Sequence, residues 1–172
     1  MQNRARILVV TGPGKGKTTS ATGIILRSVA HGRKVLLSRF AKSTRSGELD
    51  ILEKLPGVSI LSSGRGMTPP PDHSDYPLHV AAARELFDKT IAAAPSVDLV
   101  VMDEICGITS RNMIAEEEVT AFLDTLRSDQ VAVLTGRNAG LCLLAAADTV
   151  SEVRDVKHGY TRGINAQSGV EY

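Results

Sequence analysis

Short apolar runs alternate with longer stretches of helical periodicity along most of the chain. The apolar runs are rich in valine, isoleucine and leucine, which is typical of strands buried on both faces of a sheet. In the stretches between them, apolar residues recur at spacings of three and four, as on one face of a helix. This alternation predicts an α/β fold with a mostly parallel sheet of about six strands and helices on both faces.

Glycine and proline mark the boundaries between these elements, as at His31-Gly32, Pro56-Gly57 and Pro95. A chain of 172 residues with 42% hydrophobic content fits one compact domain, residues 1–172, with room for a full core. Strands are predicted at 7–10, 34–40, 58–61, 98–103, 130–135 and 149–153, and helices at 17–30, 47–54, 77–94, 115–126 and 139–147.

Residues 62–77 interrupt the pattern. They read SSGRGMTPPPDHSDYP, with no apolar period and many residues that break helices and strands. A loop of this length inside a compact domain is more often a lid or a binding segment than filler. We therefore expect a lid or substrate loop here, and the alternative is a disordered surface insertion.

A glycine-rich segment joins the first strand to the first helix and reads VVTGPGKGKTT over residues 9–19. Gly12, Gly14 and Gly16 allow backbone conformations in which successive N–H groups point at phosphate oxygens. The helix N-terminus adds partial positive charge. Because Thr11 stands where the common phosphate loop has its first glycine, this loop is a shortened relative of that form.

Three side chains of this loop have the chemistry of a nucleotide site. Lys17 is expected to place its ammonium against the outer phosphates, and the Thr18 hydroxyl is suited to magnesium. Lys15 adds a second cation. The alternative is a glycine-rich turn without a ligand, but two lysines beside aligned N–H groups would repel each other without an anion.

Chemically active residues also follow three of the other predicted strands. Asp103 and Glu104 end the apolar run 98–103, where a carboxylate can hold magnesium directly or through water. As an alternative, the acidic pair merely begins a solvated loop. Phe40 and Lys42 lie near the phosphate loop by topology, although Phe40 is equally compatible with the core. Arg137 could meet a phosphate or the nucleoside, or be an ordinary surface arginine.

Composition and charge exclude several classes of protein. The 20 basic and 19 acidic side chains give a net charge of +1, so there is no basic stripe typical of a nucleic-acid binder. No apolar run is long enough for a signal peptide or a membrane span, and we expect a cytoplasmic protein without a membrane partner. Cys106 and Cys142 lack metal-type spacing and are expected to be buried thiols.

Motifs from nearly the whole chain, in order, resemble those of the P-loop type ATP:corrinoid adenosyltransferases. The shortened loop with its extra lysine and the tail are the most specific of them. They are Gly12-Pro13-Gly14-Lys15-Gly16-Lys17-Thr18-Thr19, Phe40-x-Lys42, Gly47-Glu48, Val101-Met102-Asp103-Glu104, Thr135-Gly136-Arg137, Val150-Ser151-Glu152-Val153, Lys157-His158, Gly163, Ala166-Gln167 and Gly169-Val170-Glu171-Tyr172.

The resemblance implies a RecA-like P-loop architecture and transfer of the 5'-deoxyadenosyl group of ATP to the Co(I) centre of a reduced corrinoid, with release of triphosphate. ATP and Mg²⁺ are the implied co-substrate and cofactor. The nucleophile is then brought by the substrate, in agreement with the lack of a convincing Ser-His-Asp or Cys-His arrangement. A reductant that supplies Co(I), expected to be a flavoprotein, and a homodimer are also implied.

The resemblance also assigns roles to residues. Lys15, Lys17 and Glu104 are the implied catalytic residues, and Thr18 and Glu104, with Asp103 adjacent, the magnesium ligands. Met67 and Pro69 stand where the family places aromatic side chains against the corrin, so they are expected at the substrate with Phe40 and Lys42. Nucleotide contacts are implied for Gly12, Pro13, Gly14, Lys15, Gly16, Lys17, Thr18, Thr19, Arg27 and Arg137.

Two other functions remain open at this point. One is a P-loop phosphotransferase or ATPase, which would release ADP instead of triphosphate. The other is a paralogue that binds nucleotide or corrinoid without turnover, which is suggested by Met67 and Pro69 in place of aromatic residues.

Overall fold

A computed structural model describes residues 4–43, 46–63 and 65–170, and within them six strands form one all-parallel sheet. The sheet order is β3-β2-β4-β5-β1-β6. The strands are β1 (Arg6–Thr11), β2 (Val35–Arg39), β3 (Val58–Ser62), β4 (Leu99–Asp103), β5 (Val131–Thr135) and β6 (Thr149–Glu152). The predicted α/β fold, which is that of a P-loop NTPase, is confirmed.

Helices connect the strands within the same described ranges. They are α1 (Lys17–Ala30), α2 (Gly47–Leu52), α3 (Tyr76–Ala93), α4 (Ile105–Thr109), α5 (Glu116–Asp124) and α6 (Leu141–Ala146), with 3₁₀ turns at Ala94–Ser96 and Tyr160–Arg162. The sequence pattern missed α4, because five residues that include Gly107 are too few to show a helical period.

The central strands separate two apolar cores, so that helices cover both faces. One face packs side chains of α3, α4, α5 and α6, with Phe87 and Phe122 edge to face at a centroid distance of 5.8 Å. The other face packs α1 and α2, through Ala21 and Ile25 of α1 among others. All five residues of β4 are buried, which explains its continuous apolar sequence.

Parallel pairing brings the carboxyl ends of the strands to one edge of the sheet. Arg39 of β2 pairs in register with Asp103 of β4, and Val10 of β1 pairs with Thr135 of β5. In open sheets of this kind, ligands bind beyond these ends. The loop after β1, the acidic pair at the end of β4 and the segment after β5 therefore meet at this edge.

Two predictions about buried side chains have different outcomes. Cys106 is buried, and burial raises the pKa of its thiol to about 12. Cys142, at the start of α6, is only partly buried, so the prediction of a buried thiol was wrong for this residue.

In the described part of the chain, none of the helices is long and apolar enough to cross a lipid bilayer.

Candidate nucleotide site

The glycine-rich loop packs backbone to backbone against the segment that follows β6. Gly14 donates its N–H to the Val153 carbonyl at 2.8 Å, and Val153 donates its own to Thr11 at 2.8 Å. A Cβ atom on Gly12 would lie 2.5 Å from the Val153 oxygen, and one on Gly14 would lie 2.7 Å from the Arg154 carbonyl carbon. Glycine is therefore needed at both positions because the two backbones lie too close for a side chain.

The loop turns into α1 at Gly16, whose φ of 116° places it in a conformation that side chains disfavour. Gly12 has a φ of 102°. Lys17 begins α1, and the next residue, Thr18, directs its hydroxyl at the acidic end of β4. Pro13 and Thr19 are exposed beside them.

The Lys17 side chain is buried, with 7% of its surface exposed, and its Nζ donates to the Gly14 carbonyl at 2.7 Å. Burial lowers the pKa of this ammonium. The negative charge of Glu104 opposes the shift, and the positive charge of Arg137 adds to it. The charges of Glu104 and Arg137 therefore both act on the Lys17 ammonium.

Asp103 is the centre of a hydrogen-bonded cluster at the end of β4, with 1% of its surface exposed. Its Oδ1 accepts from the Thr18 hydroxyl at 3.0 Å and from the Thr135 hydroxyl at 2.6 Å. Its Oδ2 accepts from Lys42 Nζ at 2.5 Å. Lys42 also donates to Thr18 Oγ1 at 2.9 Å, so four side chains from four segments of the chain converge.

Glu104 adopts a left-handed backbone conformation with φ of 69°, directly before α4. Few residues other than glycine adopt this conformation, and such cases concentrate at functional sites. Its N–H donates to the Thr135 hydroxyl at 3.0 Å, which links this turn to the Asp103 cluster. Burial and the adjacent Asp103 charge raise the pKa of the Glu104 carboxyl.

Lys15 points to the C-terminal segment, where its Nζ donates to the Val170 carbonyl at 2.6 Å. A cavity of about 350 Å³ lies between this lysine and the tail. Basic side chains of Arg154, Lys157 and His158 line it together with Asp155. Lys15 and Lys17, which are neighbours in the motif, thus contact different parts of the fold.

Several of the predicted site residues lie apart from this cluster. Phe40 is fully buried in the core, so of the two interpretations given above the core residue is the correct one. Arg27 is exposed in the last turn of α1. Met67 is 87% exposed and Pro69 is partly buried, both between β3 and α3.

Thr135 bonds both Asp103 and the Glu104 backbone, a role that was not predicted from the sequence. The signal was present, since Thr135 ends the apolar run 130–135 as Asp103 ends its own run. The backbone contacts of Val153 carry no such signal, because any residue type could make them.

Hydrogen bonds with Arg111, which follows α4, hold the segment before α3 and the first residue of α3. Arg111 donates to the Thr68 carbonyl at 2.8 Å, and Tyr76 donates its hydroxyl hydrogen to the Arg111 carbonyl at 2.8 Å. Thr68 is 7% exposed between Met67 and Pro69. The described part of this segment, residues 65–75, is thus anchored while Met67 remains at the surface.

The amino-acid sequence matches a protein-family model described as "ATP:corrinoid adenosyltransferase BtuR/CobO/CobP" over residues 3–172. Corrinoid adenosyltransferase of Escherichia coli (strain K12) is 38% identical over 172 residues, which cover 98% of this chain and 86% of that protein. Corrinoid adenosyltransferase CobA of Salmonella typhimurium is 36% identical, with 99% and 87% covered. A corrinoid adenosyltransferase of Pseudomonas aeruginosa is 36% identical over 171 residues, with 98% and 84% covered.

Proposed function

Because the chain belongs to the ATP:corrinoid adenosyltransferase family, and is therefore an adenosyltransferase, we propose that it transfers the 5'-deoxyadenosyl group of ATP to a reduced corrinoid. The electron pair of Co(I) attacks C5' of ATP, and a cobalt–carbon bond forms. The bond between C5' and its oxygen breaks, and triphosphate leaves with that electron pair. The cobalt ends as an alkylated Co(III) centre, so the electrons balance.

The phosphate loop would stabilise the leaving triphosphate. Negative charge develops on the oxygen of the breaking bond, and donors fixed in advance in a site that excludes water stabilise such charge most effectively. The buried Lys17 ammonium, held at 2.7 Å from the Gly14 carbonyl, is a fixed donor of this kind. Lys15 would add charge once it exchanges the Val170 carbonyl for a phosphate oxygen.

Magnesium fits the residues at the end of β4. A hydroxyl oxygen, Thr18 Oγ1, and a carboxylate oxygen, Asp103 Oδ2, converge on the Lys42 ammonium, which stands in for a cation there. Oxygen donors of this kind are the ligands that Mg²⁺ prefers. We assign Thr18, Asp103 and Glu104 to holding Mg²⁺, which when bound would neutralise triphosphate charge.

Arg137 and Arg27 complete the proposed nucleotide contacts. Arg137 is exposed at the mouth of the site and close enough to Lys17 and Glu104 to shift the pKa of both. It is suited to a phosphate or to the nucleoside. Arg27, at the far end of α1, would reach the nucleotide only if the nucleotide extends along that helix.

The corrinoid would bind against residues 62–77, which we propose as the substrate loop and lid. Met67 offers an exposed apolar side chain that can pack on the flat face of a corrin ring, and Pro69 lies beside it. The bond from Arg111 to the Thr68 carbonyl would hold this segment in place. Lys42, which donates to Thr18 and Asp103 at the nucleotide side, would also contact the substrate.

The remaining proposals concern partners and setting. We propose that the chain forms a single domain over residues 1–172 and acts in the cytoplasm as a homodimer. We also propose that a reductant, a flavoprotein, supplies Co(I). No role for nucleic acid or membrane follows from the net charge of +1. The chemistry itself requires such a reductant, because only Co(I) carries the attacking electron pair.

The contact between Thr18 of the phosphate loop and the buried Asp103 carries this proposal, because it joins two halves of a nucleotide site. The test is incubation with ATP, Mg²⁺ and cobalamin under a strong reductant. We expect the absorbance change of a new cobalt–carbon bond and one triphosphate per product. ADP instead of triphosphate would indicate a phosphotransferase or ATPase, and binding without either product would indicate a non-catalytic paralogue.

A further inference from the structure

The Lys42 ammonium lies where two oxygen atoms converge, Thr18 Oγ1 at 2.9 Å and Asp103 Oδ2 at 2.5 Å. The other carboxylate oxygen, Oδ1, already accepts the hydroxyls of Thr18 and Thr135. Because Thr18 donates its one hydroxyl hydrogen to Oδ1, its lone pairs are what it presents to Lys42. Both oxygens therefore face the ammonium as acceptors.

The same two oxygens are hard ligands of the type that a divalent cation takes in a nucleotide site. A cation that contacts both of them would lie within a few ångströms of the ammonium. Two positive charges at such a separation repel strongly, and more strongly in a buried site than in water. The ammonium and a divalent cation therefore cannot share these oxygens.

Burial explains why a cation must be present at all. Asp103 is 1% exposed, and a buried carboxylate without a compensating charge is costly. Lys42 is 25% exposed at the level of its side chain, so its ammonium can withdraw to solvent or to a phosphate. The residue before it, Ala41, has φ of 51°, a conformation that alanine rarely adopts.

We propose that Lys42 and the divalent cation are alternative occupants of one place between Thr18 and Asp103, and that Lys42 withdraws when the cation binds. Lys42 is thus a positioning residue that keeps the two ligand oxygens together and the Asp103 charge compensated. This inference rests on the proposed function, since it concerns the cation of the same site. The competition between Lys42 and the cation sets the apparent affinity for the cation, because each binding event must displace an ammonium.

In the experiment, protein without added nucleotide or corrinoid is titrated with Mn²⁺. Electron paramagnetic resonance measures the amount of Mn²⁺ that is bound. Lys42→Met removes the competing ammonium, and we expect it to bind Mn²⁺ at least about tenfold more tightly than the wild type. Lys54→Met is the matched control, because it removes the same charge from an exposed position after α2. The double variant Lys42→Met/Asp103→Asn should lose the gain, which locates the metal at Asp103.

Equal Mn²⁺ affinity in Lys42→Met and Lys54→Met would overturn the proposal, as would a gain that survives in the double variant. Lys42→Gln keeps a hydrogen-bond donor, and should show a gain even if Lys42→Met fails to fold. Thermal unfolding gives a second readout: Lys42→Met should lose stability in chelator and regain it with Mn²⁺, whereas Lys54→Met should do neither. No step requires turnover, so failure of the triphosphate assay would be a separate result.

Discussion

Gly14 and Val153 are joined by a backbone hydrogen bond of 2.8 Å between the first loop and the segment after the last strand. The two backbones are so close that a methyl group on Gly14 would lie 2.7 Å from the carbonyl carbon of Arg154. The shape of the phosphate loop therefore depends on contacts with residues far away in the sequence.

Gly14→Ala should remove most ATP affinity, because the added methyl must push the loop away from Val153 and Arg154. Isothermal titration with ATP measures this loss. The matched control is Gly23→Ala in the middle of α1, where a Cβ atom meets nothing within 4 Å. That variant should keep ATP affinity and gain about 0.5–1 kcal/mol in unfolding free energy. Equal ATP affinities in the two variants would contradict the packing argument.

Lys17→Ala should lower kcat/KM by on the order of 10²–10³-fold, the usual cost of removing one donor that stabilises developing negative charge. The fold should survive, and circular dichroism, which reports mainly on the helices and the sheet, checks this. Lys15→Ala should cost less, since the Lys15 ammonium contacts the Val170 carbonyl and is exposed. Steady-state rates of triphosphate release compare the two, and a larger loss for Lys15→Ala would reverse their assignment.

Glu104 should make stability depend on pH in a definite direction. Burial raises the pKa of its carboxyl above the ordinary value of about 4.5, so between these two values the folded state holds a proton that the unfolded state releases. This stabilisation is complete below about pH 4.5 and is lost as the pH rises through the folded pKa. The unfolding temperature of Glu104→Gln should therefore rise relative to the wild type as the pH increases.

Glu118→Gln provides the control of opposite sign for this pH series. A hydrogen bond from Arg84 lowers the pKa of the Glu118 carboxyl, and the two side chains pair at 2.6 Å. Its contribution is present above pH 4.5 and disappears as the pH falls through the folded pKa. Thermal melts of both variants from about pH 3 to pH 8 should diverge in opposite directions from the wild type. Parallel curves would refute the assignment for Glu104.

Aromatic side chains at Met67 and Pro69 should accelerate the reaction. Met67→Phe with Pro69→Trp would supply flat faces to press on the corrin and to displace a lower ligand from cobalt. Because Met67 is 87% exposed, the fold should tolerate the change at this position. The measurement is the rate of cobalt–carbon bond formation at saturating ATP, with Met67→Ala as the control. Activity in the aromatic variant alone would identify the natural protein as a binding paralogue.

Much of this structure is predictable from local sequence pattern. The six strands were predicted because each is a short apolar run, and Asp103 was predicted to be functional because it ends one of them. Lys42 was predicted at the correct edge of the sheet, but its bond to Asp103 depends on the path of the loop after β2. Phe40 ends the apolar run 34–40, and its side chain lies in the core. The sequence does not reveal this, because the pattern of a fully buried strand does not tell which way a side chain points.

The position of β1 between β5 and β6 also has a consequence during synthesis. The strand that carries the phosphate loop is made first, but both of its partners in the sheet are made last. The bond from Lys15 to Val170 spans 155 positions, so the loop acquires its final contacts only when nearly the whole chain has emerged from the ribosome. A nascent chain arrested before residue 130 should leave this strand unpaired, and it should bind ATP only after the remaining residues are added.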